Sequence, residues 1–469
     1  MNRFYTIGFS VFLLLNTSNA NAQISAGLDT ELQHTLDSMR TVLGAKSLSA
    51  AIQTADGSIW AHANGISAAL PATNVTPNDA YLIGSVTKTI TSACVLQLAD
   101  EHLLNLDDSL HEWLPTVPYI DSNITIRQLL NHTSGIYDVL SHPHNQDSLL
   151  ADISRIWTPE ELIDRFISPP LFAPGTSWSY SNTNYFLLSM IIREATGNPF
   201  YTELRNRFFD PLQLNSFAIP SFETLNSPVA HLWLDITGDG VLDDADSFYM
   251  SYLSLNSTAG AAGGYFSTPT DCTQWMRSYM RGDLLSTTMM AEAKTTVLAP
   301  ASQGGKYGLG LMKNQTHFLG YEAYGHGGDL AYHASSWYFP EFDQSITVFT
   351  NDNDKNSWTL LPVVRELLRT YVENTTASLS ENQTGNFQVS PVPFTNELAI
   401  IRKNFSSDDE FSFTLTDALG KIISTRITDP LIKKQAVITF QNLESLPGGV
   451  YFVTITGNNY QTQSIKVLK

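Results

Sequence analysis

The stretch Tyr81–Leu106, YLIGSVTKTITSACVLQLADEHLLNL, sets a lysine three residues after a serine at the entrance to an apolar run. Ile90, Ala93, Cys94 and Leu98 recur at helical spacing, which predicts an amphipathic or buried helix over Thr87–Leu98. Residues three apart on a helix share a face. Ser85 and Lys88 therefore point the same way, about 4.5 Å apart along the axis. Apolar surroundings disfavour the charged form of a lysine, so Lys88 is a candidate base for the Ser85 hydroxyl. Ser85 also follows Gly84 at the helix start, where unpaired backbone N–H groups can stabilise developing negative charge.

Two other segments carry side chains that could join this pair. In FAPGTSWSYSNTNYFLLSMIIREATG (172–197), Pro174-Gly175 makes a turn, and Tyr180-Ser181-Asn182 precedes a helix that ends at Gly197. A phenol beside a lysine ammonium loses its proton more readily, which makes Tyr180 a candidate proton carrier for Ser85 or a water. Asn182 offers donors and an acceptor, able to hold Lys88 or a substrate amide. It equally suits a helix N-cap, and Tyr180 alone reads as a turn aromatic. In YGHGG (324–328), His326-Gly327-Gly328 lies at the centre of a strand pattern. Paired glycines in a strand imply close approach of another backbone or a ligand. The N–H of Asp329 is then a candidate oxyanion donor beside that of Ser85. Alone, His326 reads as a structural imidazole.

Around these segments the chain is acidic and globular. Its 469 residues can bury a sizeable core in more than one domain. With 15% charged and 43% hydrophobic residues it falls in the folded, soluble class, and a net charge of -19 argues against nucleic acid or anionic lipid as a partner. The N-terminus MNRFYTIGFSVFLLLNTSNANAQ has a basic Arg3, an apolar run and small residues at Ala20 and Ala22. That order predicts a secretory signal peptide at 1–22, too short for a membrane anchor, and hence export rather than an integral membrane protein. Two cysteines, Cys94 and Cys272, supply no disulfide framework and read as separate buried thiols.

Element signals order the rest. A helix near Thr30–Leu43 is closed by Gly44, and two strands meet at Asp56-Gly57. Helical patterns dominate from Ser85 to about Gly282; in one of them Thr158, Pro159 and Glu161 form an N-cap, first-turn proline and capping box. Strand patterns return at 306–314, 323–340 and 344–352, before a closing helix at 357–374. Strands at both ends of a helical block predict an α+β fold, with one antiparallel sheet flanked by helices plus a helical subdomain. That domain spans 23–375. A polar, proline-bearing linker follows at 376–395, then a small β-sandwich at 396–469, where polar and apolar residues alternate between Gly and Asn turns.

In the last segment TLTDALGKII, LESLPGGVYFVTI and the final SIKVLK resemble the C-terminal sorting domain of the type IX secretion system. That resemblance implies the secretion machinery as a partner, with periplasmic transit before secretion or surface attachment. Ser85-x-x-Lys88, Tyr180-x-Asn182 and His326-Gly327-Gly328, in this order, resemble the serine β-lactamase and penicillin-binding-protein hydrolases. LLNHTSGI (129–136), AAGGYFSTPTDCTQWM (261–276) and YGLGL (307–311) match that family's scaffold motifs. The branch implied contains class C β-lactamases, D-alanyl-D-alanine carboxypeptidases, D-aminopeptidases and esterases. By this resemblance Ser85 is the acylated nucleophile, Lys88 its base and Tyr180 the proton shuttle. Asn182 orients the substrate, while His326, Gly327, Gly328 and Asp329 form the substrate-side strand. The implied substrate is a small molecule or a peptidoglycan-type peptide or ester, and catalysis requires no cofactor. Many relatives carry Lys-Thr-Gly where this chain has His-Gly-Gly, and a histidine is largely neutral at pH 7. Recognition of a substrate carboxylate is thereby put in doubt. A surface binding protein that kept the fold without turnover is the alternative.

DITGDGVLDDAD (235–246) carries Asp235, Thr237, Asp239, Gly240, Asp243 and Asp246 at loop positions 1, 3, 5, 6, 9 and 12. This is the oxygen-ligand pattern of a calcium loop, and its final Asp resembles dockerin loops. The expectation is a stabilising Ca²⁺; the competing reading is a plain acidic surface loop.

Overall fold

The computed structural model describes residues 24–247, 253–381, 387–390, 397–402, 411–417, 421–427, 437–447, 450–457 and 460–469. The signal peptide read at 1–22 lies outside the described residues. Helix α1 (Ala26–Leu43) begins where the Ser25 side chain accepts from Leu28 N, and it ends at Gly44 in the left-handed region. Its Leu28, Leu32 and Leu36 form one buried stripe at i, i+4, i+8. Strands β1 (Ser47–Gln53) and β2 (Ile59–Ala69) then pair antiparallel across the Asp56-Gly57 turn, with Asp56 Oδ1 accepting from Ser58 N at 3.0 Å.

The main sheet is completed by β3 (Ala72–Asn74) and, far along the chain, β4 (Val297–Leu298), β5 (Lys306–Tyr307), β6 (Met312–Asn314), β7 (Ala323–Leu330), β8 (Tyr332–Phe339) and β9 (Gln344–Thr350). Its order is β3-β2-β1-β9-β8-β7-β6-β5-β4. The two ends of the domain therefore meet at the β1–β9 seam, where Ser49 faces Phe349 and Gln53 faces Ser345. Every residue of β1, β8 and β9 is buried, because the sheet is covered on both faces. On one face α1 and the long helix near the end of the domain pack Leu32, Leu36, Val364, Leu367 and Leu368 against Ile52, Trp337 and Val348.

On the other face lies the helical block, built on α2 (Thr87–Asp100), α3 (Thr183–Thr196), α4 (Leu253–Gly263) and α5 (Pro269–Arg281). Of the two readings open for α2, the buried one holds: all its residues are buried except Gln97 and Asp100. Thr273 of α5 ties the block to the sheet, donating from Oγ1 to Ala51 O and to Thr347 Oγ1. Cys94 and Cys272 are separate buried thiols, each pushed up to about 12 by burial. Among the described residues no helix is long and apolar enough to cross a membrane.

The span read as a linker holds regular structure where it is described. Helix α6 (Leu361–Glu381) continues past 376, and strand Phe387–Ser390 pairs with Leu398–Arg402, Val389 facing Ile400. The apolar period of α6 fades after Val372, but Ala377, Leu379 and Glu381 are good helix formers, so propensity carries the helix on. Three-stranded and four-stranded sheets follow, and Leu398, Ile400, Phe413, Leu415, Phe440, Val453 and Val467 from both make one core. The C-terminal segment is thus the small sandwich its alternation predicts, beginning near residue 387.

Candidate active site

A tight turn over Gly84–Val86 delivers Ser85 to the start of α2, and backbone-on-backbone contact with β7 fixes that turn. Gly84 has φ of 52°, and a Cβ built on it would lie 2.8 Å from Asp329 N. A Cβ on Gly328 would lie 1.9 Å from Ile83 O, and one on Gly327 2.6 Å from Ser357 Oγ. Side chains at Gly84 and Gly328 would force the turn and the strand apart, while one at Gly327 would collide with Ser357, so the paired glycines serve two different close approaches. The closeness also brings the N–H groups of Ser85 and Asp329 to neighbouring positions.

Lys88, the second residue of α2 and one turn after Ser85, is fully buried, with Nζ 3.1 Å from Ser85 Oγ, 2.7 Å from Asn182 Oδ1 and 2.8 Å from Ala262 O. Two of these partners can only accept. A neutral amine satisfies both with its two N–H bonds and turns its lone pair to the Ser85 hydroxyl. Burial supports that state, lowering the Lys88 pKa to about 7, with the Asp138 charge opposing the shift. The Ala262 carbonyl is available because α4 ends at Gly263, which leaves the carbonyls of its last turn without an intrahelical donor.

Tyr180 donates its O–H to Ser85 Oγ at 2.8 Å, and its ring lies against His132 with centroids 4.3 Å apart. The expectation that the lysine lowers its pKa is corrected: burial dominates and holds the phenol well above 10, with the Ser85 hydrogen bond opposing more weakly. Tyr180 is therefore an O–H donor to Ser85 rather than a standing phenolate. Its removal is testable. Tyr180→Phe keeps the ring against His132 and is expected to slow turnover about 10²-fold with an unchanged melting temperature; steady-state kinetics and a thermal melt check both.

Asn182 occupies the N-cap position of α3 but makes no capping hydrogen bond with its side chain. Its Oδ1 takes Lys88, and its Nδ2 donates to Asp138 Oδ2 at 2.9 Å. Asp138 is the site residue missed in the sequence. It lies two positions beyond the LLNHTSGI segment, and the available signal was an acid placed in an otherwise apolar loop. Burial raises its pKa against the hydrogen bonds it accepts from Leu140 N and Asn182. His326 is 1% exposed, with Nε2 2.8 Å from Tyr307 Oη and Nδ1 2.5 Å from Gly327 O. Burial, then the nearby Lys88 charge, lower it to about 3, so it is a neutral ring with both nitrogens engaged.

These groups open on a cavity of about 200 Å³ whose walls include Ser85, Tyr180, Asn182, His326, Asp329 and Trp358. No arginine or lysine is among the described residues that line it. Asp329 is held at its mouth by Ser357 N and Oγ, each at 2.6 Å, and by His333 Nδ1 at 2.7 Å. Burial acts to raise its pKa, but those hydrogen bonds win and keep it below the usual carboxylate value.

The loop at 235–246 is well separated in role from this cluster. Asp235 accepts from the N–H groups of Gly238, Asp239 and Gly240, Asp239 from Val241 N, and Asp243 from Ile236 N. Asp246 accepts from Leu232 N outside the loop. Among the described residues no group of three or more His, Cys, Asp or Glu converges to hold a metal ion. The loop is closed by its own backbone here.

Comparison with known proteins places this geometry. Residues 34–364 match the family model described as beta-lactamase, and residues 388–469 match the secretion system C-terminal sorting domain. Among solved structures, a D-stereospecific amidohydrolase from Streptomyces sp. aligns at 30% identity and TM-score 0.60, covering 69% of this chain and 94% of that one. The D-amino acid amidase from Ochrobactrum anthropi SV3, in complex with D-phenylalanine, aligns at 25% identity and TM-score 0.63, covering 74% and 99%. Penicillin-binding protein 4* of Bacillus subtilis (strain 168) is 32% identical over 142 residues, 29% of this chain and 30% of that protein. The chain spans about 30% of the length of the curated relatives it matches. With most of its length matched by that model, and with the fold shared by these hydrolases, the chain belongs to the β-lactamase family and carries a secretion system C-terminal sorting domain.

Proposed function

We propose that the chain is an exported serine hydrolase that cleaves an amide or ester through an acyl-enzyme on Ser85. The observation that carries this reading is the buried Lys88 amine 3.1 Å from Ser85 Oγ, with its other two partners able only to accept. As Oγ attacks the carbonyl carbon, its proton passes to the Lys88 lone pair, and the N–H groups of Ser85 and Asp329 receive the oxyanion. The C–N or C–O bond then breaks, and the leaving group takes a proton through Tyr180. Water attacks the acyl ester, gives its proton to the same pair, and releases the acid. Ser85 regains its proton.

The neutral, doubly engaged His326 supports amides and esters over substrates that need a cation for a carboxylate, such as β-lactams and peptides ending in D-alanine. Relatives described as a D-stereospecific amidohydrolase and a D-amino acid amidase favour the amide side. The sorting domain supports release or surface attachment through the type IX machinery. The test is a panel of p-nitrophenyl esters, D-amino acid amides, nitrocefin and D-Ala-D-Ala peptides, read with intact-mass detection of the acyl-enzyme. Esters and amides are expected to turn over fastest. A chain that forms no adduct and turns over none of them is the binding protein.

Calcium stays outside this reaction and is proposed only as a stabilising ion of the 235–246 loop. A melting temperature that rises by several degrees on adding Ca²⁺ and falls with chelator supports it; identical melts remove it.

A further inference from the structure

We propose that Asp138 is a positioning residue for the acylation step: through Asn182 it fixes the acceptor that Lys88 faces, and it supplies the counter-charge for the ammonium that Lys88 becomes. The inference rests on the reading of Lys88 as the base for Ser85 and adds the group that holds the proton there.

Hydrogen-bond direction carries the argument. Asp138 caps the short turn Val139–Ser141, where its Oδ1 accepts from Leu140 N at 3.1 Å, and its Oδ2 accepts from Asn182 Nδ2 at 2.9 Å. Both oxygens meet donors, the pattern of an acceptor-only carboxylate. With Nδ2 directed at that carboxylate, Asn182 turns Oδ1 to Lys88 Nζ at 2.7 Å. The amide thus has one orientation, and carboxylate, amide and amine form a chain in which each bond polarises the next. As the Oγ–C bond forms, the proton leaves Ser85 Oγ for Nζ, and a positive charge appears at the end of this chain. A neutral amide at 138 would reverse it. Asparagine has one carbonyl oxygen, and giving it to Leu140 N sets its NH2 against the NH2 of Asn182. Asn182 would turn over and offer Lys88 donors in place of its acceptor.

Charge points the same way. Nζ of Lys88 lies 4.7 Å from the ring centroid of Tyr180 and 5.2 Å from that of Tyr185, with His132 and His326 near enough to feel its charge. Burial holds both phenols above their ordinary value and both imidazoles below theirs, so all four are neutral at pH 7. Asp329 on β7 bears on Tyr180 and His326. Burial drives the proton from Lys88, and the Asp138 charge opposes it. Burial also raises the pKa of Asp138, against its two hydrogen bonds and the Lys88 charge. Asp138 is not among the residues lining the cavity, so it acts through Asn182 rather than on the substrate.

The experiment is the pH dependence of kcat/KM for one neutral p-nitrophenyl ester in the wild type, Asp138→Asn and Asp138→Ala, each with a thermal melt. Without the carboxylate the ammonium loses its counter-charge, so the rising limb should move to lower pH by about one unit. The plateau should fall by about 10- to 100-fold, because a weaker base beside a misdirected amide takes the proton less well. A purely structural role would lower the plateau and leave the midpoint in place. A wild-type limb near pH 7 that does not move in a folded variant overturns this inference alone, and no such limb in the wild type sinks the reading of Lys88 beneath it. Neutron diffraction from wild-type crystals at pH 8 decides the matter even if neither variant folds. The expected map shows deuterium on Asn182 Nδ2 directed at Asp138 and none on the carboxylate; a protonated Asp138, or an amide turned the other way, overturns the proposal.

Discussion

Ser85→Ala is expected to abolish labelling by a fluorophosphonate and to lower kcat/KM on any cleaved ester by about 10⁴-fold or more. The substitution removes one oxygen at a partly exposed position and leaves the Gly84–Val86 turn and its contact with β7 in place, so the fold should survive. What remains is an oxyanion site and a cavity without an attacking atom, which explains a small residual rate over water rather than none. Intact mass after incubation with substrate gives the second readout: an acyl adduct in the wild type and none in the variant. Adduct on the variant would move the nucleophile elsewhere.

Lys88→Met is expected to cost about 10³- to 10⁴-fold in the acylation rate. Methionine matches the lysine stem in length and lacks the amine, so nothing takes the Ser85 proton as Oγ attacks. It also strands Asn182 Oδ1 and Ala262 O, which lose their donor in a buried place. Some stability is lost for that reason, and circular dichroism with a thermal melt must accompany the kinetics. Lys88→Arg should fail as completely, since guanidinium remains protonated across the working range and cannot act as a base. A variant at Lys88 that folds and acylates at the wild-type rate would refute the role given to it.

Much of this site was readable because its parts obey local rules. The Ser85–Lys88 pair follows from helical spacing, and the paired glycines of β7 announced a close approach that at Gly328 is the Ser85 turn and at Gly327 is Ser357. What the sequence hid is mostly long-range. Asp138 joins through Asn182 from a loop 44 residues away, and Ala262 contributes a backbone oxygen from the last turn of α4, which no side-chain pattern encodes. The phenol was misjudged because its proximity to Lys88 was legible while its burial was not, and burial is the larger effect. The helix past residue 376 was lost for a related reason: its last turns have helix-forming residues but no apolar stripe.

The central claim is that Lys88 is a neutral amine poised against Ser85, and the pH dependence of kcat/KM for a neutral ester reads it most directly. Only the unprotonated amine accepts the proton, so with a pKa lowered to about 7 the rate should rise through one ionisation with its midpoint near pH 7. His326, lowered to about 3, is already neutral there and adds no step. A rising limb centred near 7 in the wild type is the expected result. A limb centred near 10, as for a solvated lysine, would contradict the account, as would a rate already at its plateau at pH 5.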